Sequence, residues 1–122
     1  MALILVESPF LLKLDNIFDY SSHFTIAKEF MSGGELTKVL QKAHADYSIE
    51  FCKYTLYCVA QGLKALHARS IVHRDIKSDN IHYNEEGEIK IADLEHVHFL
   101  TEQEPTVTGM TGSVGFAAPE IR

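Results

Sequence analysis

The sequence predicts an α+β fold, and three observations lead to that prediction. Two strand-like runs at residues 11–20 and 23–30 come first. Two stretches with apolar residues at helical spacing follow them, and a pair of short β-rich runs comes next. The chain has 122 residues, of which 46% are hydrophobic and 23% charged, a composition typical of one globular domain with a modest core.

The first strand pair is joined around residues 19–22, a cluster of polar residues that favours a loop. Gly33 and Gly34 then interrupt the chain before the first helix. These two glycines have two open interpretations, a linker at the helix start or part of a ligand site.

Two helices are predicted in the middle of the chain. The first has apolar residues at helical spacing, namely Leu36, Val39, Leu40 and Ala43. Ser48 has the residue type of an N-cap for a longer helix that reaches about residue 67. The stripe of the second helix that we expect to face a core consists of Cys52, Leu56, Val59, Leu63 and Leu66.

The last third of the chain begins with a predicted hairpin. Residues 81–83 and 88–91 are short strand-like runs on either side of a turn cluster that contains Asn84 and Gly87. Residues 94–122 show little periodicity and many Thr, Gly and Glu residues, so a long loop is predicted there.

Charge and cysteine content exclude several classes of protein. The net charge of −6 argues against a nucleic-acid binder or a membrane-surface binder, which would normally present a basic face. The apolar run at residues 1–6 is too short to span a bilayer and lacks signal-peptide features, which predicts a cytoplasmic protein. Cys52 and Cys58 lie about 120° apart around one helix, so they cannot bridge each other and we expect reduced thiols.

The segment at residues 73–80 carries the chemistry of the chain. It places an acid, a lysine and an amide in one loop, namely Asp75, Lys77 and Asn80. Transfer of a phosphoryl group depends on positioning and on charge neutralisation, so Asp75 would hold the attacking hydroxyl and Lys77 would supply a compact positive charge. Asn80 and Asp93 would offer oxygen ligands to Mg²⁺. The predicted hairpin folds Asp93 back towards Asp75, so that both groups meet one metal-phosphate unit.

With these motifs in register, the chain resembles part of a eukaryotic protein kinase. His73, Arg74 and Asp75 match the tripeptide of the catalytic loop, and Lys77 resembles the serine/threonine-specific branch. Residues 76–80 are most similar to sterile-type kinases that act downstream of small GTPases. Residues 29–35 resemble the hinge between the lobes, and residues 118–120 match the tripeptide that closes the activation segment.

The resemblance implies a set of ligands and partners. The cofactors would be ATP and Mg²⁺, with the backbone of Glu29 and Met31 on adenine and Glu35 near the ribose. The partners would be a protein substrate and an upstream kinase or small GTPase-linked regulator. Ser113 occupies the position of the threonine in the substrate-docking loop of such kinases.

Three threonines, Thr106, Thr108 and Thr111, lie where kinases of this type are switched by phosphorylation. A phosphate there would pair with Arg74 and order the segment. The alternative is that these threonines only populate a polar loop, and the sequence leaves both interpretations open.

The resemblance also implies an incomplete kinase-like domain. Residues 1–28 would be a remnant of the N-lobe strands, residues 29–35 the hinge, and residues 36–122 a C-lobe portion with the catalytic loop and activation segment. A glycine-rich phosphate loop and a strand lysine of the Val-Ala-Ile-Lys type do not occur in the sequence. We therefore expect little activity from these 122 residues alone.

Three substitutions motivate a second hypothesis, a catalytically impaired kinase-like module that acts by binding. Glu95 stands at the glycine position of the magnesium tripeptide, Lys28 at the gatekeeper position, and His82 where a leucine-like residue packs beneath adenine.

Four other polar residues are given structural interpretations. His96 and His98 alternate without a third ligand at a sensible spacing, so solvated loop histidines are predicted. Asp79 and Asn84 are predicted to be turn formers.

Overall fold

The computed structural model describes residues 6–42, 47–109 and 111–121, and within them it confirms the α+β class. Two short 3₁₀ turns, Ser78–Asn80 and Pro119–Ile121, accompany the regular elements. In chain order, those elements are β1 (Leu14–Tyr20), β2 (His23–Lys28), β3 (Gly34–Glu35), α1 (Leu36–Lys42), α2 (Ile49–His67), β4 (Ile71–Val72), β5 (Ile81–Tyr83), β6 (Ile89–Ile91) and β7 (His98–Phe99).

The first strand pair is confirmed as an antiparallel hairpin of β1 and β2, closed where Tyr20 pairs with His23. Both strands are shorter than the sequence predicts. The chain just before β1 turns to β6 instead, since Leu11 forms an isolated parallel bridge with Ile91 and Leu12 N donates to Ile91 O at 2.9 Å. This early segment therefore ties the hairpin to the rest of the core.

Helix α2 begins and ends where the sequence predicts. The Ser48 hydroxyl accepts a hydrogen bond from the backbone N–H of Phe51 at 3.1 Å, which satisfies one of the donors left free at the helix start. Glu50 in the first turn and Lys64 and His67 in the last turn complement the helix dipole. Local chemistry at the two ends thus accounts for the bounds of α2.

The predicted core stripe of α2 is wrong for Cys52 and Leu56, which are exposed to solvent. It is confirmed for Leu66, which is fully buried, while the other two members pack against the core from half-buried positions. The residues that are buried on this helix are Thr55, Cys58, Gly62 and Leu66.

Gly62 gives the physical reason for the rotated face of α2. A Cβ at this position would lie 2.8 Å from Cδ1 of Ile91 and 3.0 Å from the backbone oxygen of Phe10. The helix therefore approaches β6 most closely where it has no side chain. A search for apolar residues at helical spacing passes over glycine and threonine, so it cannot identify the face of α2 that contains Thr55 and Gly62.

The core consists of two clusters of buried side chains that share strand β6. Of the predicted α1 stripe, Leu36 is buried and the next two residues pack partly against the second cluster, while Ala43 lies outside the described residues. Cys52 and Cys58 are both free thiols, as predicted. One cluster contains Leu11, Leu66, Ile71 and Ile91, and the other contains Leu36, Cys58, Ile81 and Ile89.

The hairpin of β5 and β6 is confirmed, with Ile81 paired to Ile91 and Tyr83 to Ile89. Asn84 is the predicted turn former: its Oδ1 accepts from Glu88 N at 2.9 Å and its Nδ2 donates to Glu88 Oε2 at 2.8 Å. These bonds close the turn and fix the register of the two strands.

Strand β3 packs beside β5 through Gly33, whose N–H donates to Tyr83 O at 2.7 Å. A Cβ on Gly33 would lie 2.5 Å from the Tyr83 ring, so only glycine permits this approach. Of the two interpretations of Gly33, this contact favours the structural one.

Among the described residues of the predicted long loop at 94–122, one strand, β7, pairs antiparallel with β4. Neither of these two-residue strands is predicted by the sequence. Each has too few residues to show a period, and the partners lie more than 25 residues apart along the chain. In the described part of the chain, no helix has both the length and the hydropathy needed to cross a bilayer.

The rotated face of α2 leads to a prediction about two leucines of the same helix. Leu66→Ala removes a side chain with 0% exposure, and we expect the free energy of unfolding to fall by about 2–5 kcal/mol. Leu56→Ala is the matched control, because its side chain is 70% exposed and its loss should cost less than about 0.5 kcal/mol. Urea denaturation followed by circular dichroism measures both, and equal losses would contradict the observed face.

Candidate active site

The loop between β4 and β5 has an irregular backbone held by local hydrogen bonds. Arg74 has a positive φ of 74°, an uncommon conformation for a residue with a side chain, and its Nε donates to His96 O at 2.6 Å. His73 is almost fully buried, and its Nδ1 accepts from Asp75 N at 3.1 Å. The loop is thus fixed on both sides of Arg74, which orients the Asp75 side chain.

Asp75 is the centre of a hydrogen-bond network with three predicted site residues. Ser113 Oγ donates to Asp75 Oδ1 at 2.8 Å, and Lys77 Nζ donates to Ser113 Oγ at 2.6 Å. Lys77 Nζ also lies 3.6 Å from Asp75 Oδ2. Asn80 Nδ2 donates to the backbone oxygen of Asp75 at 2.8 Å and to its Oδ2 at 3.2 Å. The structure therefore brings Asp75, Lys77, Asn80 and Ser113 together.

These contacts keep Asp75 ionised. Burial by itself raises the pKa of this carboxyl, but the Ser113 hydrogen bond, the charge of Lys77 and the Asn80 hydrogen bond together hold the pKa below its usual value. A carboxylate that is buried, ionised and held by neighbours is preorganised to orient a hydroxyl group.

Asp93 lies beside Asp75, so the predicted convergence of the two carboxylates is confirmed. One ligand atom from each of Asp75, Asp93 and His96 lies within 4.8 Å of the other two. The backbone bond from Ala92 N to Asn80 O, 2.8 Å long, joins the end of β6 to the loop that contains Asp75. The β5–β6 hairpin thus places Asp93 where the sequence predicts it.

His96 is a residue of this site that the sequence interpretation missed. It is exposed, as predicted, but it does have carboxylate neighbours that a cation site requires. The signal was its position three residues after Asp93, in a turn that brings both side chains to the same cleft. His98, in contrast, lies in β7 with Nε2 3.8 Å from Glu104 Oε2, away from the cluster.

The residues fit a divalent cation by the chemistry of their donors. Asp93 Oδ1 accepts from Glu95 N at 2.9 Å, which orients the carboxylate and leaves Oδ2 for a ligand role. The amide nitrogen of Asn80 is directed to Asp75, which leaves the amide oxygen as its ligand atom. Carboxylate and amide oxygens are the ligands that Mg²⁺ prefers.

His73 lies beneath these carboxylates. Burial lowers the pKa of its imidazole, and the backbone and charge of Asp93 oppose that effect in part. Its Nε2 is buried, and the ring lies against the backbone of Asp93. The ring therefore supports the loop as a neutral group.

The predicted hinge has two unused backbone groups. Within the described residues, neither the carbonyl of Glu29 nor the amide of Met31 forms a hydrogen bond. The Glu29 carboxylate is held by Lys90 Nζ at 2.9 Å and by Lys13 N at 2.6 Å. The Glu29 side chain is therefore fixed by Lys13 and Lys90.

Of Glu35 and the three substituted residues Lys28, His82 and Glu95, two lie opposite each other in the sheet and two are exposed. Glu35 is half-buried in β3 opposite His82 in β5. Burial lowers the pKa of His82, and the nearby Glu35 charge raises it in part. Lys28 and Glu95 are exposed, so neither charge occupies the interior of the protein.

The other activation-segment residues lie away from the network of Asp75. Thr106 and Thr108 are exposed. Thr111 is half-buried and lines an apolar cavity of about 270 Å³ together with Arg74. Thr111 is therefore the one of the three threonines that lines the same cavity as Arg74, the residue predicted to pair with a phosphate. Asp79, predicted to be a turn former, accepts a hydrogen bond from Thr37 Oγ1 at 2.6 Å and so also links the loop to α1.

The fold is that of a protein kinase domain. The profile of the protein kinase domain matches residues 2–121, and the chain belongs to that family. The serine/threonine-protein kinase shk2 of Schizosaccharomyces pombe is 33% identical over 114 residues, which cover 88% of this chain and 18% of the relative.

Two further relatives have similar identities. The serine/threonine-protein kinase pakA of Dictyostelium discoideum is 36% identical over 115 residues, 88% of this chain and 10% of the relative. Ribosomal protein S6 kinase alpha-1 of Homo sapiens is 33% identical over 116 residues, 95% of this chain and 16% of the relative. The chain thus spans less than a fifth of the length of these relatives.

The network around Asp75 leads to a prediction about Ser113. Ser113→Ala removes the hydroxyl that donates to Asp75, so we expect the pKa of Asp75 to rise, as followed by NMR titration of the carboxyl carbon. Because the folded-state pKa is below the unfolded value, Asp75 contributes stability above the ordinary carboxyl pKa, and that stability disappears as pH falls through the folded-state pKa. The variant should lose part of it.

Ser113→Thr is the control, since threonine retains the hydroxyl donor. Its carboxyl titration should stay close to that of the wild-type protein. An unchanged Asp75 titration in Ser113→Ala would mean that the Ser113 contact does not hold the carboxylate in its ionised form.

Proposed function

We propose that this chain is the catalytic portion of a serine/threonine protein kinase, which transfers the γ-phosphoryl group of ATP to a hydroxyl of a protein substrate. The observation that carries the proposal is the convergence of Asp75, with its Ser113, Lys77 and Asn80 partners, on the carboxylate of Asp93. Phosphoryl transfer needs this combination of an orienting acid, a positive charge and oxygen ligands for a cation.

Asp75 is proposed to bind the substrate hydroxyl and accept its proton as the new oxygen–phosphorus bond forms. Ser113 and Asn80 each hold one of its oxygens, so the carboxylate needs little reorganisation. Lys77 lies 3.6 Å from Asp75 and would neutralise charge on the transferred group.

Asn80 and Asp93 are proposed to hold Mg²⁺, which supplies neutralisation of the phosphate charge when bound. The Glu29 carbonyl and the Met31 amide are proposed to hydrogen-bond adenine, and Glu35 to approach the ribose. These assignments rest on the unused backbone groups of the hinge and on the location of Glu35 in β3 at the end of the hinge.

The remaining proposals concern the wider setting of the chain. Residues 1–28 are proposed to be N-lobe strands, residues 29–35 the hinge and residues 36–122 a portion of the C-lobe. The protein is proposed to be cytoplasmic. An upstream kinase or small GTPase-linked regulator is proposed as a partner, with Thr111 the best placed of the three threonines to bring a phosphate to Arg74.

The alternative, a kinase-like binding module, is less well supported. It is motivated by Lys28, His82 and Glu95, but two of these side chains point to solvent and the contacts around Asp75 are intact. Calorimetric titration with ATP and Mg²⁺ distinguishes the two proposals. Absence of binding heat would favour the module, and micromolar affinity would favour the enzyme.

Two substitutions separate chemistry from binding. The test uses the longest expressed protein that contains this chain. In it, Asp75→Asn should lower the rate of phosphotransfer by about 10²–10⁴-fold, because the general base is lost. The affinity for ATP should change by no more than about a few fold, because the nucleotide contacts remain. Asp93→Asn should weaken ATP binding in Mg²⁺ by at least about tenfold, since it removes a metal ligand.

Radiolabelled phosphate transfer to a serine peptide measures the first effect, and calorimetry measures the second. Asp19→Asn, on the exposed β1–β2 hairpin, is the control and should change neither. Unaltered phosphotransfer in Asp75→Asn would remove Asp75 from the proposed mechanism.

A further inference from the structure

Two exposed tyrosines of helix α2 lie together on one flank of that helix. Tyr54 and Tyr57 are about one helical turn apart, and their exposed fractions are 47% and 54%. The buried residues of α2, among them Thr55 and Cys58, define the face that packs on the core. At about 100° per residue, the two tyrosines lie to one side of that face and Leu56 lies to the other side. The tyrosines therefore form a surface of their own, separate from the exposed aliphatic one.

A third ring, from the segment before β1, forms a corner with Tyr57. The Phe10 and Tyr57 rings meet edge to face, with centroids 5.9 Å apart and an angle of 89° between their planes. Phe10 is fixed by its backbone, since its N–H donates to Ser8 Oγ at 3.2 Å and its carbonyl accepts from Ile91 N at 2.9 Å. Rings of this kind offer a large, stiff contact surface, so a partner that binds them orders few side-chain torsions.

An acidic side chain lies beside the same rings. The pKa of the Tyr54 phenol is raised, first by its hydrogen bond to the Cys58 thiol and also by the charge of Glu88, so the phenol and this carboxylate interact. Glu88 is exposed, and its Oε2 accepts from Asn84 Nδ2 at 2.8 Å, which holds the carboxylate at the start of β6. The three rings thus have a negative charge fixed next to them.

The bases of β6 and α2 leave much of the Glu88 charge uncompensated. Lys90 Nζ lies 3.9 Å from Glu88 Oε2, but it is bonded to both carboxylate oxygens of Glu29 at 2.9 Å. The lysines of α2 are Lys53 and Lys64. The first lies about 100° around the helix from the tyrosine next to it in sequence, and the second lies about two turns beyond the other tyrosine. Because the whole protein has a net charge of −6, this surface favours a cationic ligand.

Aromatic faces beside a carboxylate suit a guanidinium group. The negative face of a ring attracts a cation, and guanidinium is planar, stacks on rings and pairs with carboxylates. We propose that Phe10, Tyr54, Tyr57 and Glu88 form a docking site for an arginine side chain in a basic segment of another protein. The site shares no residue with the network around Asp75, so this inference goes beyond the proposed function and does not rest on it.

Binding of a basic peptide to the 122-residue chain tests the docking site. The probe is a short fluorescein-labelled peptide whose arginines are separated by alanines, and fluorescence anisotropy gives its affinity. In the matched control peptide, citrulline replaces each arginine and keeps its shape without the charge. We expect saturable binding of the arginine peptide that weakens as salt is added, and no saturable binding of the citrulline peptide.

Variants of the docking site separate ring, charge and fold. Tyr57→Leu keeps an apolar side chain but removes the ring, so the affinity should fall about two- to fivefold, the size of one exposed cation–π contact. Tyr54→Leu should have a similar effect, and the double variant should lose more than either. Tyr57→Phe keeps the ring and should bind like the wild-type chain. Glu88→Gln retains an acceptor for Asn84 but removes the charge, and should weaken binding about two- to fivefold.

Tyr20→Leu is the control for the tyrosine variants. Its side chain is 52% exposed on the β1–β2 hairpin, so its loss should leave the peptide affinity unchanged. Circular dichroism of each variant checks that the fold is retained.

Several results would overturn the docking site. Equal affinity for the arginine and citrulline peptides would remove the role of charge, and so would absence of saturable binding. A loss in Tyr57→Phe as large as that in Tyr57→Leu would mean that the ring is not what the peptide contacts. Weaker binding in Asp75→Asn, with none in Tyr54→Leu or Tyr57→Leu, would place the peptide at the cleft of Asp75 instead. None of these results bears on phosphotransfer, which is measured separately.

Discussion

The antiparallel pairing of β5 with β6 is the constraint on which both the core and the site depend. Ile89 and Ile91 of β6 are buried in the two core clusters, and Asp93 follows only two residues later. The bond from Ala92 N to Asn80 O then ties the open end of the hairpin to the catalytic loop. Helix α2 approaches Ile91 through Gly62, so apolar packing holds β6, the strand that precedes Asp93. Stability and site geometry are therefore coupled through β6 and the two residues that follow it.

The electrostatic arrangement at this end of the hairpin follows from how Asp75 is satisfied. A buried carboxylate without partners would become protonated, but hydrogen bonds from Ser113 and Asn80 and the charge of Lys77 favour its ionised form. Ser113 comes from the activation segment, 38 residues away along the chain. The segment that contains Ser113 therefore contributes directly to the charge state of Asp75. This link gives a physical reason why the conformation of that segment bears on the proposed chemistry.

Much of the site is predictable from the sequence, because Asp75, Lys77 and Asn80 lie in one short loop and Asp93 follows directly after one hairpin. The spacing from Asp75 to Asn80 and the turn residue Asn84 are local features, and local backbone geometry carries them to the observed convergence with Asp93. His96 was missed because its nearness to Asp75, which lies 21 residues earlier in the chain, arises only when the chain folds. The exposure of Cys52 and Leu56 was missed because the contact of α2 is made by Gly62, a residue without a side chain to count.

The sequence by itself determined the class of fold, the ends of α2, the two hairpins and the residues that meet at the catalytic loop. The ends of α2 and the turns of the hairpins depend on interactions between residues that are close along the chain, such as the Ser48 cap and the Asn84 turn. Only the tertiary structure decided which face of α2 is buried and that β4 pairs with β7. It also decided that the His96 ring lies near the carboxylates of Asp75 and Asp93. These features depend on which surfaces meet in space, and their energies come from contacts between segments that no local pattern relates.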